Sequence, residues 1–532
     1  MRHTRRVLGV LAALAVALPV SSSTAASTVT VGTASSYGLT KGFTLLGHEA
    51  LGQRGMNSPL AVAGTCAYIG DRTYGRVRPQ GGVAIVDVSN PRKPRRVGTI
   101  PAIANATQRE LRADAGLGIL VVMTYSGSTG AGATGGPSVN NLKTYDIRSC
   151  TKPKLLSTYD FGARSPHEFF LWKDRAHPGR ALAYVTFTIY SPDLEVVDLA
   201  DPAAPNLVGV YDLVADQAVK TIDFADESGS GYAHSISVSG DGTKAYLSGW
   251  DYGTYVLDTS LLASPPGGAP VGVARPAGIG RIDYGHDVHS VVVAPDGKVA
   301  VMGQEDYANA GHGCPFGWLR TADVSDPNAP KQLGEYKLPE NDPTTCGKKN
   351  GTFSAHNQTV FPHVTLLTWY AGGLRAVDIT KPAAMKETGA FVPRPGFTPD
   401  LRDERLFFSK TASTPLLPTD TPRGSSKQEK WTGAMWSYPV IQNGLVYVVD
   451  IDLGLYILRY TGAHHDEVDK AGFVEGNSSP ARYSTKDPVV KRPGLAWAAI
   501  DREVAAGSRV VQSPYRTAEL RKGDRRYGFI CL

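Results

Sequence analysis

The chain has 532 residues, of which 42% are hydrophobic, 9% aromatic and 20% charged. This is a globular balance that excludes wholesale disorder. Its 58 Gly and 36 Pro follow no collagen-like period and point to many turns between short strands. The net charge of +6 falls to +3 without Arg2, Arg5 and Arg6. Both signs alternate along the rest, which excludes nucleic acid as an expected partner.

Residues 1–26 read as an export signal peptide. Arg2, Arg5 and Arg6 form its positive start, Val7 to Val20 its apolar run, and Thr24-Ala25-Ala26 its cleavage site. Thr4-Arg5-Arg6 partly matches a twin-arginine signal, so Sec and twin-arginine export both stay open. The apolar run is too short to span a bilayer comfortably, and no later stretch could do so. The expectation is a secreted, extracellular monomer with no membrane span.

The cysteines are Cys66, Cys150, Cys314, Cys346 and Cys531, without a CxxC pair. Disulfides are the default in an exported chain. Cys314 and Cys346 bracket one repeat and are expected to pair. Cys531 is expected to tie the tail to Cys66 or Cys150.

A repeat decides the fold. A β-run ends in Asp, a Pro-rich turn follows, and another β-run returns. Examples are VAIVDVSNPRKPRRVGTI (83–100), LEVVDLADPAAPNLVGVYDL (194–213) and LRAVDITKPAAMKETGAFV (374–392). The repeated aspartates are Asp87, Asp146, Asp198, Asp258, Asp323 and Asp378. Their side chains suit turns, because an Asp carboxylate accepts backbone N–H groups two residues on. A hairpin precedes several of these runs, with Asp241-Gly242, Asp296-Gly297 or Asn443-Gly444 at its tip. Such pairs supply the positive φ that tight hairpins need.

Seven first strands begin near Asn57, Gln108, His167, His234, His289, His356 and Trp436. The seventh unit lacks a fourth strand, and FTLLGHEAL (43–51) has that strand's pattern. The expected fold is all-β: a seven-bladed propeller over residues 43–462, closed by an N-terminal strand that completes the last blade. Residues 395–434 form an insertion between blades six and seven. Residues 463–532 form a C-terminal extension expected to pack outside the ring. The strands VAIVD, LEVVD and LRAVD make the chain resemble the LVIVD-repeat family. That resemblance implies export and a propeller ring, but no particular reaction.

His167, His234, His289 and His356 share one register at the start of the first strand of blades three to six. That strand lines the central channel, so four imidazoles are expected around one mouth. Imidazole suits copper, iron and zinc. Carotenoid-cleaving oxygenases hold iron by four histidines on a propeller, an analogy of architecture alone. A hydrated polar lining is the competing role. His286 is a candidate fifth ligand. Glu168 is expected to point away by strand alternation. Glu305 and Asp306 are candidate general bases or oxygen ligands. Trp250, Tyr252, Trp369, Tyr370 and Trp436 are expected to face a ligand. GAGATG (130–135) lacks the strand–helix context of a dinucleotide site, so no nucleotide is expected.

Two functions remain open at this stage. One is a metal-dependent oxidoreductase acting on a small molecule. The other is a non-catalytic extracellular propeller that binds a protein, glycan or cell-wall ligand.

Overall fold

The computed structural model describes residues 28–72, 81–103, 106–126, 139–174, 179–188, 191–213, 215–216, 233–263, 272–282, 287–306, 315–346, 352–394 and 434–476, with the backbone of 509–512. The leader, the insertion over 395–433, the GAGATG stretch, His286, His312, Cys314 and Cys531 lie outside the described residues.

Seven antiparallel sheets are ordered as the repeat requires. Blade one, for example, runs Asn57–Ala63, Cys66–Asp71, Val83–Asp87 and Arg95–Ile100, from the channel outwards. Each of the six repeated aspartates accepts the backbone N–H two residues on. The six distances, to Ser89, Arg148, Ala200, Ser260, Ser325 and Thr380, lie between 2.8 and 3.0 Å. The expected hairpin tips also form: Gly242, Gly297 and Gly444 have φ of 75°, 75° and 74°.

Closure follows the N-terminal strand. Phe43–Glu49 pairs antiparallel with Gly454–Tyr460 and becomes the outer strand of blade seven. The first and last described segments of the ring therefore share one sheet, which leaves no open edge between them. Every pair of neighbouring blades has its own buried apolar cluster. Phe170, Leu194, Ile236 and Tyr255 join blades three and four, and Leu60, Val86, Val440 and Leu455 join blades one and seven. The core is thus a ring of seven wedges.

Three edge additions were not legible as such. Thr28–Val31 extends blade five in parallel, Thr40–Lys41 extends blade six, and Arg509–Gln512 extends blade two in parallel. Part of the extension does not go outside the ring. Phe473–Glu475 pairs with Val440–Gln442, the innermost strand of blade seven. It crosses towards blades two and three, where Glu475 accepts the Ala113 N–H and Lys173 lies 4.6 Å over the Phe473 ring. This segment therefore occupies the central channel.

One disulfide joins Cys66 and Cys150, linking blade one to the outer turn of blade two. Neither cysteine is then open to Cys531, which corrects the expected tie to the tail. Cys346 is disulfide-bonded, but its expected partner Cys314 is not described. Among the described residues no helix is long and apolar enough to cross a membrane.

Candidate metal centre

The four histidines stand side by side and are almost completely buried. His167 Nε2 lies 2.8 Å from His234 Nε2. Ring centroids are 4.3 Å apart for His234 and His289, and 3.8 Å apart for His289 and His356. Three consecutive blade steps thus bring residues 55 to 67 positions apart into one cluster.

A bulge sets this geometry. His167 and Glu168 both bond the backbone of Thr186; His234 and Ser235 both bond Ser248; His356 and Asn357 both bond Thr368. In blade five the register slips between Val288 and Ser290, at His289. Two residues opposing one break the strand's alternation and re-aim side chains. The histidine carbonyls are also tied from the preceding blade. Thr186 Oγ1 donates to His234, Ser235 Oγ to His289 and Ser290 Oγ to His356, at 2.6–2.8 Å.

The bulge corrects two expectations. Glu168 does not point away, because alternation fails where two residues share one partner. Its Oε1 lies 3.5 Å from His289 Nε2, and it groups with His167 and His234. In blade two the bulged residue is Arg109, one past Gln108, with the register slip between Gln108 and Glu110. Arg109 was missed by sequence reasoning, although aligning RELRA with HSVVV would have found it. Its Nε donates to the His167 carbonyl at 2.6 Å, and its Nη2 lies 2.7 Å from His167 Nε2. In blade one Asn57 accepts Arg54 Nε at 2.8 Å.

Glu305 is brought to the histidines as its place at the end of a second strand suggested. Its Oε2 is 3.5 Å from His289 Nε2, and its Oε1 is 3.3 Å from His356 Nε2. The Tyr370 hydroxyl also donates to Oε1. Asp306 instead lies beside Asp287; burial first, then the Asp306 charge, push the Asp287 carboxyl up to about 8.

The five aromatic candidates divide. Trp250 lies 4.7 Å from His234, Tyr370 5.3 Å and Trp436 6.2 Å from His356, centroid to centroid. The Arg72 guanidinium lies 4.6 Å from the centre of the Trp436 ring. Tyr252 belongs instead to the apolar core between blades three and four. Trp369 is fully buried, and its Nε1 donates to the Phe353 carbonyl. Neither faces a ligand, which corrects the expectation for both.

The electrostatics favour lone pairs over imidazolium. Burial, then the Arg109 guanidinium, hold His167 and His234 well below the ordinary histidine range; burial, then His356, do so for His289. His356 Nδ1 lies 2.7 Å from the Trp436 carbonyl, which can only accept, so Nδ1 carries the proton. Its Nε2 then faces Glu305.

Two groups of possible ligands result: His167, Glu168 and His234, and His234, His289 and Glu305. Within each, one atom per residue lies within 4.8 Å of the others. This His/Glu cluster near the core can bind a transition metal, since imidazole nitrogens and carboxylate oxygens are ligands for zinc, copper and iron.

The LVIVD repeat matches residues 54–100 and 183–213. No curated protein matches the sequence. Among solved structures, the β-propeller domain of Cps50 (Swd1) from Myceliophteria thermophila is 9% identical with a TM-score of 0.43, covering 76% of this chain and 97% of that one. That overlap is too loose to carry an inference about what this chain does. The chain thus carries LVIVD repeats on a seven-bladed β-propeller.

Proposed function

We propose that this is an exported metalloprotein whose propeller mouth binds one transition-metal ion and carries out oxidation–reduction on a small molecule. The observation that carries the reading is the convergence of His234, His289 and Glu305, each almost fully buried, with ligand atoms within 4.8 Å. Buried imidazoles kept neutral beside carboxylates form a donor set for a metal, and they are held before it arrives. His356 extends the set at Glu305, and Glu168 does so at His289. Arg109 sits on His167 Nε2, so His167 shares its ring with a cation and is the weakest ligand of the four.

A bound copper or iron would supply the electron transfer. The chain's own residues would position it: the Trp436 carbonyl orients His356, and the Tyr370 hydroxyl holds Glu305. Trp250, Tyr370 and Trp436 offer aromatic faces to a substrate beside the histidines.

Metal analysis of the secreted, untagged protein tests this. The expected result is about one equivalent of metal per chain that depends on these histidines, lost in a folded His234→Ala/His289→Ala variant. Copper or iron supports oxidation–reduction. Zinc alone would keep the site and remove that reaction. No metal after reconstitution would overturn the reading and favour the binding-module alternative.

A further inference from the structure

Among the described residues one other group of metal-ligating side chains converges away from the mouth: His363, His464 and Glu467, with one atom of each within 4.8 Å of the others. They come from distant parts of the chain. His363 lies in the turn between Gln358–Val360 and Val364–Thr368, the first hairpin of blade six. His464 precedes the short helix His465–Asp469, and Glu467 lies within it, after blade seven is complete. The first strand of blade six starts at the histidine mouth and ends at this turn. The group therefore sits on the opposite face of the ring.

The contacts interlock. Glu467 accepts the His363 backbone N–H at 3.1 Å through one oxygen, and its other oxygen lies 2.5 Å from His363 Nδ1. His464 Nε2 lies 3.3 Å from Asp378 Oδ2 and 3.2 Å from Thr380 Oγ1. The two imidazole rings are 5.4 Å apart and 28° from parallel. His464 caps the helix that carries Glu467, and the Glu467 N–H donates to the His464 carbonyl at 3.1 Å. The His363 side chain is 51% exposed and that of His464 30%, so an ion has direct access from solvent.

We propose that His363, His464 and Glu467, with Asp378 beside them, form a second divalent-metal site of zinc type that clamps the segment after blade seven onto blade six. Two imidazoles with one or two carboxylates match zinc's ligand preference, whereas calcium and magnesium take oxygen alone. Water completes the tetrahedron. A helix of five residues has little stability of its own, and a metal bound from blade six would fix it. That helix leads directly into Phe473–Glu475, the strand inside the channel. The clamp therefore anchors the start of the channel-filling segment.

The test is zinc titration of the chelator-stripped full-length chain by calorimetry, with bound zinc counted after gel filtration. Three variants are compared: His363→Gln, His464→Asn and Glu467→Gln. Asn is chosen because residue 464 has φ 62°, a left-handed conformation that Asn tolerates. Each variant should lose about one zinc per chain, or bind it at least ~10-fold more weakly, the lower end of what loss of a ligand's supporting partner costs. Circular dichroism should stay unchanged. The same zinc should persist in His234→Ala/His289→Ala, which separates this site from the one at the mouth. Unchanged zinc stoichiometry and affinity in all three surface variants would overturn the proposal, whatever the mouth binds.

Discussion

Replacing Phe43 by alanine tests how the ring closes. Phe43 is 5% exposed and is registered opposite Tyr460, with ring centroids 5.1 Å apart. It belongs to the cluster between blades six and seven, with Phe361, Leu366, Ala376 and Phe391. Truncating a buried Phe to Ala costs about 3–5 kcal/mol, from lost transfer energy and the cavity left behind. For a unit of roughly 400 residues the unfolding entropy is about 0.8 kcal/mol/K, so the melting temperature should fall by about 4–6 °C. Leu45 is the internal control. It lies two residues on in the same strand, but it is 46% exposed, so Leu45→Ala should change stability by no more than about 0.5 kcal/mol. Differential scanning calorimetry of both variants decides the matter. Equal losses, or a larger loss at Leu45, would refute the packing of Phe43 into the cluster between blades six and seven.

Three further predictions follow from buried groups. Arg164 and Glu195 form an ion pair with both side chains wholly buried; Arg164→Met should cost about 3–5 kcal/mol in chemical denaturation, and adding Glu195→Leu should recover most of it. Recovery of nothing would mean that the pair's worth lies elsewhere. Removing the Cys66–Cys150 bond, which spans 84 residues, should lower stability by up to about 4–5 kcal/mol on chain-entropy grounds; a Cys66→Ala/Cys150→Ala variant that melts with the wild type would contradict this. Burial pushes the Asp193 carboxyl up to about 8, against the Leu213 N–H that it accepts. The folded state therefore binds a proton more tightly than the unfolded state, and this group's contribution falls as pH rises from about 4 to 8. Asp193→Asn keeps an acceptor for Leu213 and abolishes that fall, so its melting temperature relative to wild type should rise from pH 5 to pH 8. A constant difference would refute the assignment.

The candidate site was legible only in part. The shared register of His167, His234, His289 and His356 is a repeat property, and repeats map onto equivalent points of a ring. The position of Glu305 followed from the same mapping. Arg109 shares that register too and needed only the alignment of blade two, whereas Glu168 depends on a bulge that two strands create together. Trp369 and Tyr370 are neighbours in sequence, yet one is core and the other binds Glu305; only the partner strands distinguish them.

The sequence by itself determined the blades, their number and the closing strand. Those features rest on local chemistry: strand periodicity, Asp at a turn two residues before its N–H donor, and Gly where φ must be positive. Tertiary structure alone decided what fills the channel and which distant groups meet. Phe473–Glu475 carries no signal that sends it inside the ring, and His363 none that brings it to Glu467. The Cys66–Cys150 pairing likewise depends on how blade one packs against the outer turn of blade two. Contacts between residues so far apart in the chain are set by the packing of whole blades against one another, which no local pattern of residues encodes.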